Sequence, residues 1–239
     1  RTLRCRNMTI LTDCSLIRLQ TWLSPNFPVG AFAYSHGLEY AVETGAINNL
    51  GSMVEWVSGI ITFGSGQIDA GFFRSAYESI IRGDKHQLVQ VVERADAQRA
   101  TSEMALESVS QGRAFLQTLC ETWPQPQLIL WQEELRKMQR HPAYSVAVGV
   151  SCAVAEIPLR PALAAYLNAT AANLVSSMVR LIPLGQTDGQ RALLALEPII
   201  IKATAAAVAG DAKGQGSAAL GVDWMSIQHE TQYTRLFRS

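Results

Sequence analysis

The sequence predicts an all-α fold, a compact multi-helix bundle with a C-terminal docking arm. Three observations carry this. Apolar residues recur at three- and four-residue spacing between Gly, Pro and capping residues. No stretch alternates apolar with polar residues long enough for a half-buried sheet, and no repeat of fixed period is present. At 239 residues the chain can bury roughly 70–75% of its unfolded surface, enough for one sizeable core.

The elements follow in order. Residues 1–14 read as a flexible N-terminal segment, and Ser15 caps a first helix through Trp22. Ser24 to Gly30 holds Pro25, Pro28 and a glycine, so it is a loop, with Phe27 and Val29 turned inward. A second helix spans about Phe32 to Glu43 and stops at Gly45. Asn49 caps a third, which reaches Phe63. The Gly64-Ser65-Gly66 break leads into Ile68–Arg82, and after Gly83-Asp84 the face Leu88, Val91, Val92, Ala95 marks the next helix. Helix continues to Trp123, where Pro124 and Pro126 end it. Leu128–Gln139 and then His141 to about Glu156 follow. Pro161 sits in the first turn of a helix that runs to Ile182. Thr187 to Gln190 fits a capping box for the last long helix, with a kink expected at Pro198. The helical domain closes near residue 210, and 211–239 reads as linker and docking tail.

Composition narrows the function. Twenty basic residues balance twenty acidic ones, which leaves no electrostatic footprint for nucleic acid. Met8 reads as an initiator, and the residues before it, including Arg1, Arg4 and Arg6, stand outside the fold. Cys5, Cys14, Cys120 and Cys152 form no C-x-x-C pair and read as reduced thiols, so a cytoplasmic location is expected. The apolar run Ala192–Ala209 is interrupted by Glu197, Pro198 and Lys202, which suits a buried core helix rather than a membrane span.

Several chemistries are missing. The chain has no G-x-x-x-x-G-K-[ST] loop, no G-x-S-x-G elbow and no H-E-x-x-H pair, and its four histidines are scattered. One constellation is open to a metal. On a continuous second helix His36, Glu39, Tyr40 and Glu43 share a face, and a histidine with two carboxylates suits nickel or zinc. A solvated or partner-facing helix explains the same pattern and is preferred, so no metal ligand and no cofactor is assigned.

The last eleven residues, HETQYTRLFRS, are unusual for a chain end. Beyond the Gly/Ala-rich run 210–221, Tyr233, Leu236 and Phe237 stand at the spacing of one helical face, flanked by Arg235 and Arg238. Such anchors suit a helix lying in a groove. The groove belongs either to a partner or to this protein's own core, and spacing does not choose between them.

Three blocks carry a resemblance: LSPNFPVGAFAYSHGLEYAV (Leu23–Val42), NLVSSMVRLIPLGQTDGQR (Asn173–Arg191) and the tail. HPAYSVAVGV (His141–Val150) is a weaker fourth. Together they resemble the UreF family of urease accessory proteins, in the family's order and across almost the whole chain from Ser15, so that 15–210 reads as a UreF-like domain. The resemblance implies an all-α, cytoplasmic, dimeric protein that is not an enzyme. It implies a complex with the accessory protein UreD (also called UreH) that recruits the GTPase UreG and delivers nickel to apo-urease. Regulation of GTP hydrolysis by UreG belongs to the same implication; a catalytic contribution in trans, by an Arg or Glu, is a competing reading. Carried onto this sequence, partner binding falls to Tyr233, Arg235, Leu236, Phe237, Arg238 and Ser239. His36 and Glu39, together with Tyr34 and Ser35, are candidates for a GTPase-facing or dimer surface. Gln186 and Asp188 are further contact candidates, since they are not needed as caps.

Overall fold

In the computed structural model, residues 10–210 and 216–239 are described. Among them the chain forms α1 (Asp13–Trp22), a single 3-10 turn (Ala31–Ala33), α2 (Leu38–Glu43), α3 (Leu50–Phe63), α4 (Ser65–Arg82) and α5 (Lys85–Ala97). It continues with α6 (Ser102–Thr122), α7 (Pro126–Lys137), α8 (Tyr144–Val154), α9 (Leu159–Leu181), α10 (Gln186–Ala209) and α11 (Leu220–His229). The described residues contain no strand.

Local chemistry sets the boundaries. Side-chain oxygens accept from the third backbone N–H at four starts: Thr12 from Ser15 (3.2 Å), Asn49 from Ser52 (3.0 Å), Asp84 from Gln87 (2.9 Å) and Thr101 from Met104 (3.2 Å). Pro126 opens α7 at its first turn. The first helix thus begins at Asp13, just inside the segment read as flexible; residues 1–9, with Cys5 and the basic start, lie outside the described residues.

The centre of the bundle is α8, on which α4, α6 and α9 pack, with α10 and α3 outside α9. Two glycines let backbones meet. A Cβ on Gly149 would lie 2.5 Å from the Phe73 carbonyl oxygen of α4, and one on Gly112 would lie 2.0 Å from the Pro142 carbonyl oxygen. Gly149→Ala is therefore expected to push α8 off α4 and cost at least ~2 kcal/mol, read as a lowered urea midpoint with unchanged far-UV dichroism of the native state. Phe115 gathers Phe27, Trp22 and Tyr144 around one ring, with centroids at 5.1, 6.4 and 5.6 Å. Phe27 thus packs inward as expected, and Val29 packs against the core.

The structure revises four local readings. The second helix is broken: His36 (φ 55°) and Gly37 (φ 73°) are left-handed, so only Leu38–Glu43 is helical. The cause is tertiary, because a Cβ on Gly37 would sit 2.6 Å from the Ser226 backbone nitrogen of α11. Helix occupies Leu220–His229 rather than the tail beyond it. The linker reading otherwise covers residues 210–219, of which 211–215 lie outside the described residues. The cap of α10 is Gly185, whose N–H donates to the Asp188 carboxylate at 3.3 Å, so Asp188 caps and Thr187 does not. Finally, α10 holds Pro198 within its span, and only 28% of its apolar window is buried, against 50% for α9. Both helices are long and apolar enough to cross a membrane by length and composition. The core-helix expectation thus fits α9 better than α10, whose Leu194 and Ile201 are exposed.

Candidate functional site

The site is built where the last residues return to the body. α11 lies across α2 at Gly37, and Ser226 Oγ is 2.9 Å from Thr101 Oγ at the α6 start. Glu230 then accepts from the Ser102 N–H (3.0 Å) and Oγ (2.6 Å), placing a carboxylate at the N-terminal end of α6. The Ser102 hydrogen bond holds Glu230 below its ordinary pKa.

Local backbone bonds continue through Gln232, whose N–H donates to the His229 carbonyl at 3.1 Å; beyond it the backbone bonds to the domain. Glu39, buried on α2, accepts from the Leu236 N–H at 2.6 Å and the Phe237 N–H at 2.9 Å. Arg238 N–H donates to the Ala33 carbonyl (2.8 Å), and Ser35 donates to the Ser239 carbonyl oxygen through its N–H (2.7 Å) and its hydroxyl. With these donors taken by the body, residues 230–239 form no helix, and the one-face reading of Tyr233, Leu236 and Phe237 gives way.

The side chains divide into two sets. Phe237 and Ser239 are buried: Arg180 lies 4.6 Å over the Phe237 ring, and Ser239 Oγ donates to Glu107 at 2.8 Å. Arg235 reaches Glu103 at 2.6 Å, which also lies 2.7 Å from Nδ1 of the wholly buried His229. Tyr233 is fully exposed, Leu236 is 67% exposed, and Arg238 is also exposed. The open question about the groove is thereby answered for the inner half: the protein's own α2, α6 and α9 supply it.

The site candidates on the second helix fare differently from expectation. Tyr34, Ser35 and Glu39 are buried and His36 nearly so, with 15% of its side chain exposed; they support the tail instead of presenting an open surface. His36 Nε2 lies 2.9 Å from Glu107. Burial alone would lower the His36 pKa, but the charge of Glu107 and its hydrogen bond outweigh this and raise it. Glu43 is spent on Gln232. The three residues of the metal reading thus point to three separate partners, and the described residues hold no group of three or more His, Cys, Asp or Glu placed for a metal ion. Gln186 and Asp188 stand elsewhere, at the start of α10; Gln186 is exposed, and Asp188 also pairs with Arg191 at 2.7 Å.

Sequence reasoning missed Glu103, Glu107, Asp69, Arg99 and His229. Behind Glu107, Arg99 and Asp69 form a buried pair at 2.7 Å, and Ser145 donates to the same Asp69 oxygen at 2.8 Å. Burial alone would lower Arg99, but the Asp69 charge and hydrogen bond raise it. The signal was present at Glu103, Glu107 and Gln111, one acceptor-bearing side chain per turn on a single α6 face. It looks the same as a solvated stripe.

The arrangement holds a peptide segment by its backbone. It offers charge-assisted hydrogen bonds, each stronger than a neutral one. Comparison with known proteins agrees with a single lineage. The UreF family profile matches residues 47–197. A protein named urease accessory protein UreF from Rhodopseudomonas palustris is 43% identical over 225 residues, 94% of this chain and 93% of its own length. Its namesake from Magnetococcus marinus is 41% identical over 232 residues, covering 95% of this chain and 99% of that protein. Another, from a Bradyrhizobium species, is 44% identical over 232 residues, with 97% and 95% covered. Across nearly its full length, this chain belongs to the UreF family of urease accessory proteins.

Proposed function

We propose that this chain is a non-catalytic adaptor of urease maturation. With a UreD/UreH-type protein it recruits a UreG-type GTPase to apo-urease for nickel insertion, and it sets the timing of GTP hydrolysis by that partner. It works in the cytoplasm and as a homodimer. The observation that carries the reading is the two-sided tail. Its inner side is pinned by Glu39, Glu103 and Glu107, while Tyr233 and Leu236 face outward from a backbone already held in place. Ordering before contact removes part of the entropy that binding would otherwise cost. An exposed tyrosine beside arginines supplies residue types that are enriched where interface energy concentrates.

Size-exclusion chromatography with light scattering tests this, using the chain mixed with its cognate UreD-type protein and then the UreG-type GTPase. Deletion of 229–239 is expected to abolish co-elution. Because that deletion also removes the buried Phe237, Tyr233→Ala with Leu236→Ala is the sharper variant: a native fold by circular dichroism with partner affinity reduced at least ~10-fold. Undiminished binding by both variants would remove the tail from the interface.

A further inference from the structure

Beside the tail site lies a cavity of about 480 Å³, within the size range of small-molecule sites. Most of its wall is apolar, with Leu19, Leu23, Met104 and Ala165 among the lining residues, while one region is charged, with His36, Asp69, Arg99 and Glu107. The acceptors of that region are already engaged. Asp69 serves Arg99 (2.7 Å) and Ser145 (2.8 Å). Glu107 serves His36 (2.9 Å), Gln111 (2.8 Å) and Ser239 (2.8 Å). Two nitrogens remain without a partner although both are buried: His36 Nδ1 and Arg99 Nε. Arg99 Nε is a donor only. Glu107 raises the His36 pKa against the effect of burial, which favours the imidazolium, whose Nδ1 also donates. The charged region is therefore rich in donors and short of an acceptor, beside a volume that suits hydrocarbon.

We infer that this cavity binds a small monocarboxylate with an unbranched apolar body, the carboxylate meeting His36 and Arg99 and the chain lying between α1 and α9. A carboxylate supplies the missing acceptor, and a guanidinium recognises it by charge-assisted hydrogen bonding. The apolar wall sets the preference for a longer chain. Glu107 joins this site to the tail, since it holds His36 with one oxygen and Ser239 with the other. The inference stands apart from the adaptor reading, because the cavity binds or fails to bind without any partner protein.

The test is calorimetry and thermal unfolding of the full chain with acetate, butyrate, hexanoate and octanoate, and with octanol as the uncharged control. Affinity is expected to rise with chain length, and octanol is expected to bind at least ~10-fold more weakly than octanoate. Ala169→Phe, at the cavity wall, is expected to lose octanoate binding. His36→Asn, which tolerates the left-handed backbone, is expected to weaken octanoate at least ~10-fold and leave octanol unchanged. A response to none of the carboxylates would mean that water alone fills the cavity and would overturn the proposal. Octanol binding as tightly as octanoate, or octanoate binding Ala169→Phe as it binds the wild type, would overturn it equally.

Discussion

Glu39→Ala is expected to release the tail while leaving the helical domain folded. The Glu39 carboxylate is buried and accepts two backbone N–H groups, from Leu236 and Phe237, with His229 Nε2 a further 3.5 Å away. Each hydrogen bond to a charged group contributes about 1.5–3 kcal/mol. Removing the acceptor also leaves the buried Phe237 N–H unmet. Burial of the Phe237 ring offsets about 2–3 kcal/mol of this, and Arg235, Arg238 and Ser239 keep their own bonds, so release begins at Leu236 and Phe237. Amide hydrogen exchange reads the result directly: the Leu236 and Phe237 amides are protected in the wild type and are expected to exchange at unfolded-chain rates in the variant. Amides of α4 and α8 should keep their protection. Glu39→Gln, which still offers one acceptor oxygen, is expected to fall between. Since the outward set of Tyr233 and Leu236 depends on this pinning, capture of the UreD-type partner should fall with it. Persistent protection at Leu236 and Phe237 in Glu39→Ala would show that the tail is held by something else.

Arg99→Met is expected to cost about 3–5 kcal/mol of global stability, the usual consequence of leaving a buried carboxylate without its cation. The partner charge left behind is Asp69, whose side chain is 11% exposed while that of Arg99 is 5% exposed. Its remaining hydrogen bonds, from Ser145 and Tyr166, are no substitute for an ion pair. The double variant Asp69→Leu with Arg99→Met is expected to recover most of the loss, because no charge is then stranded. Urea denaturation of the two single variants and the double variant measures the coupling. A double variant no better than Arg99→Met would mean that packing, rather than charge, dominates this position.

Much of this molecule was legible before the structure. Leu88, Val91, Val92 and Ala95, chosen by spacing, are all buried, and Asn49 caps α3 as read. These are local matters, settled within a turn of helix. The failures share a cause at longer range. Nothing within Phe32 to Glu43 announces that His36 and Gly37 leave the helical region; Ser226, far along the chain, requires it by its closeness to Gly37. The Gly185 cap differs from the expected box by two residues because Asp188 satisfies the Gly185 N–H. The Gly- and Ala-rich run before it drew the reading away from α11, a short helix that packs across α2. At the site, the tail residues were visible as anchors out of place, and His36 and Glu39 as chemistry worth noting. Their true partners, Glu103 and Glu107 on α6, become recognisable only once the tail has come back to them.

Helix α8 hides every residue from Ser145 to Ala153 from solvent. An element apolar on all sides gains little until neighbours enclose it. Those neighbours are remote in the chain, as the Tyr77 hydroxyl bonded to the Ile157 carbonyl at 2.9 Å illustrates. During synthesis α4 must therefore wait, its inner face open, while residues 83–143 are added, and closing so long a loop slows the step that buries both. Until the bundle shuts the chain presents the apolar face of α4, and then α8 as well, to any other chain nearby. The best-protected helix of the finished protein is its greatest aggregation hazard before the bundle shuts.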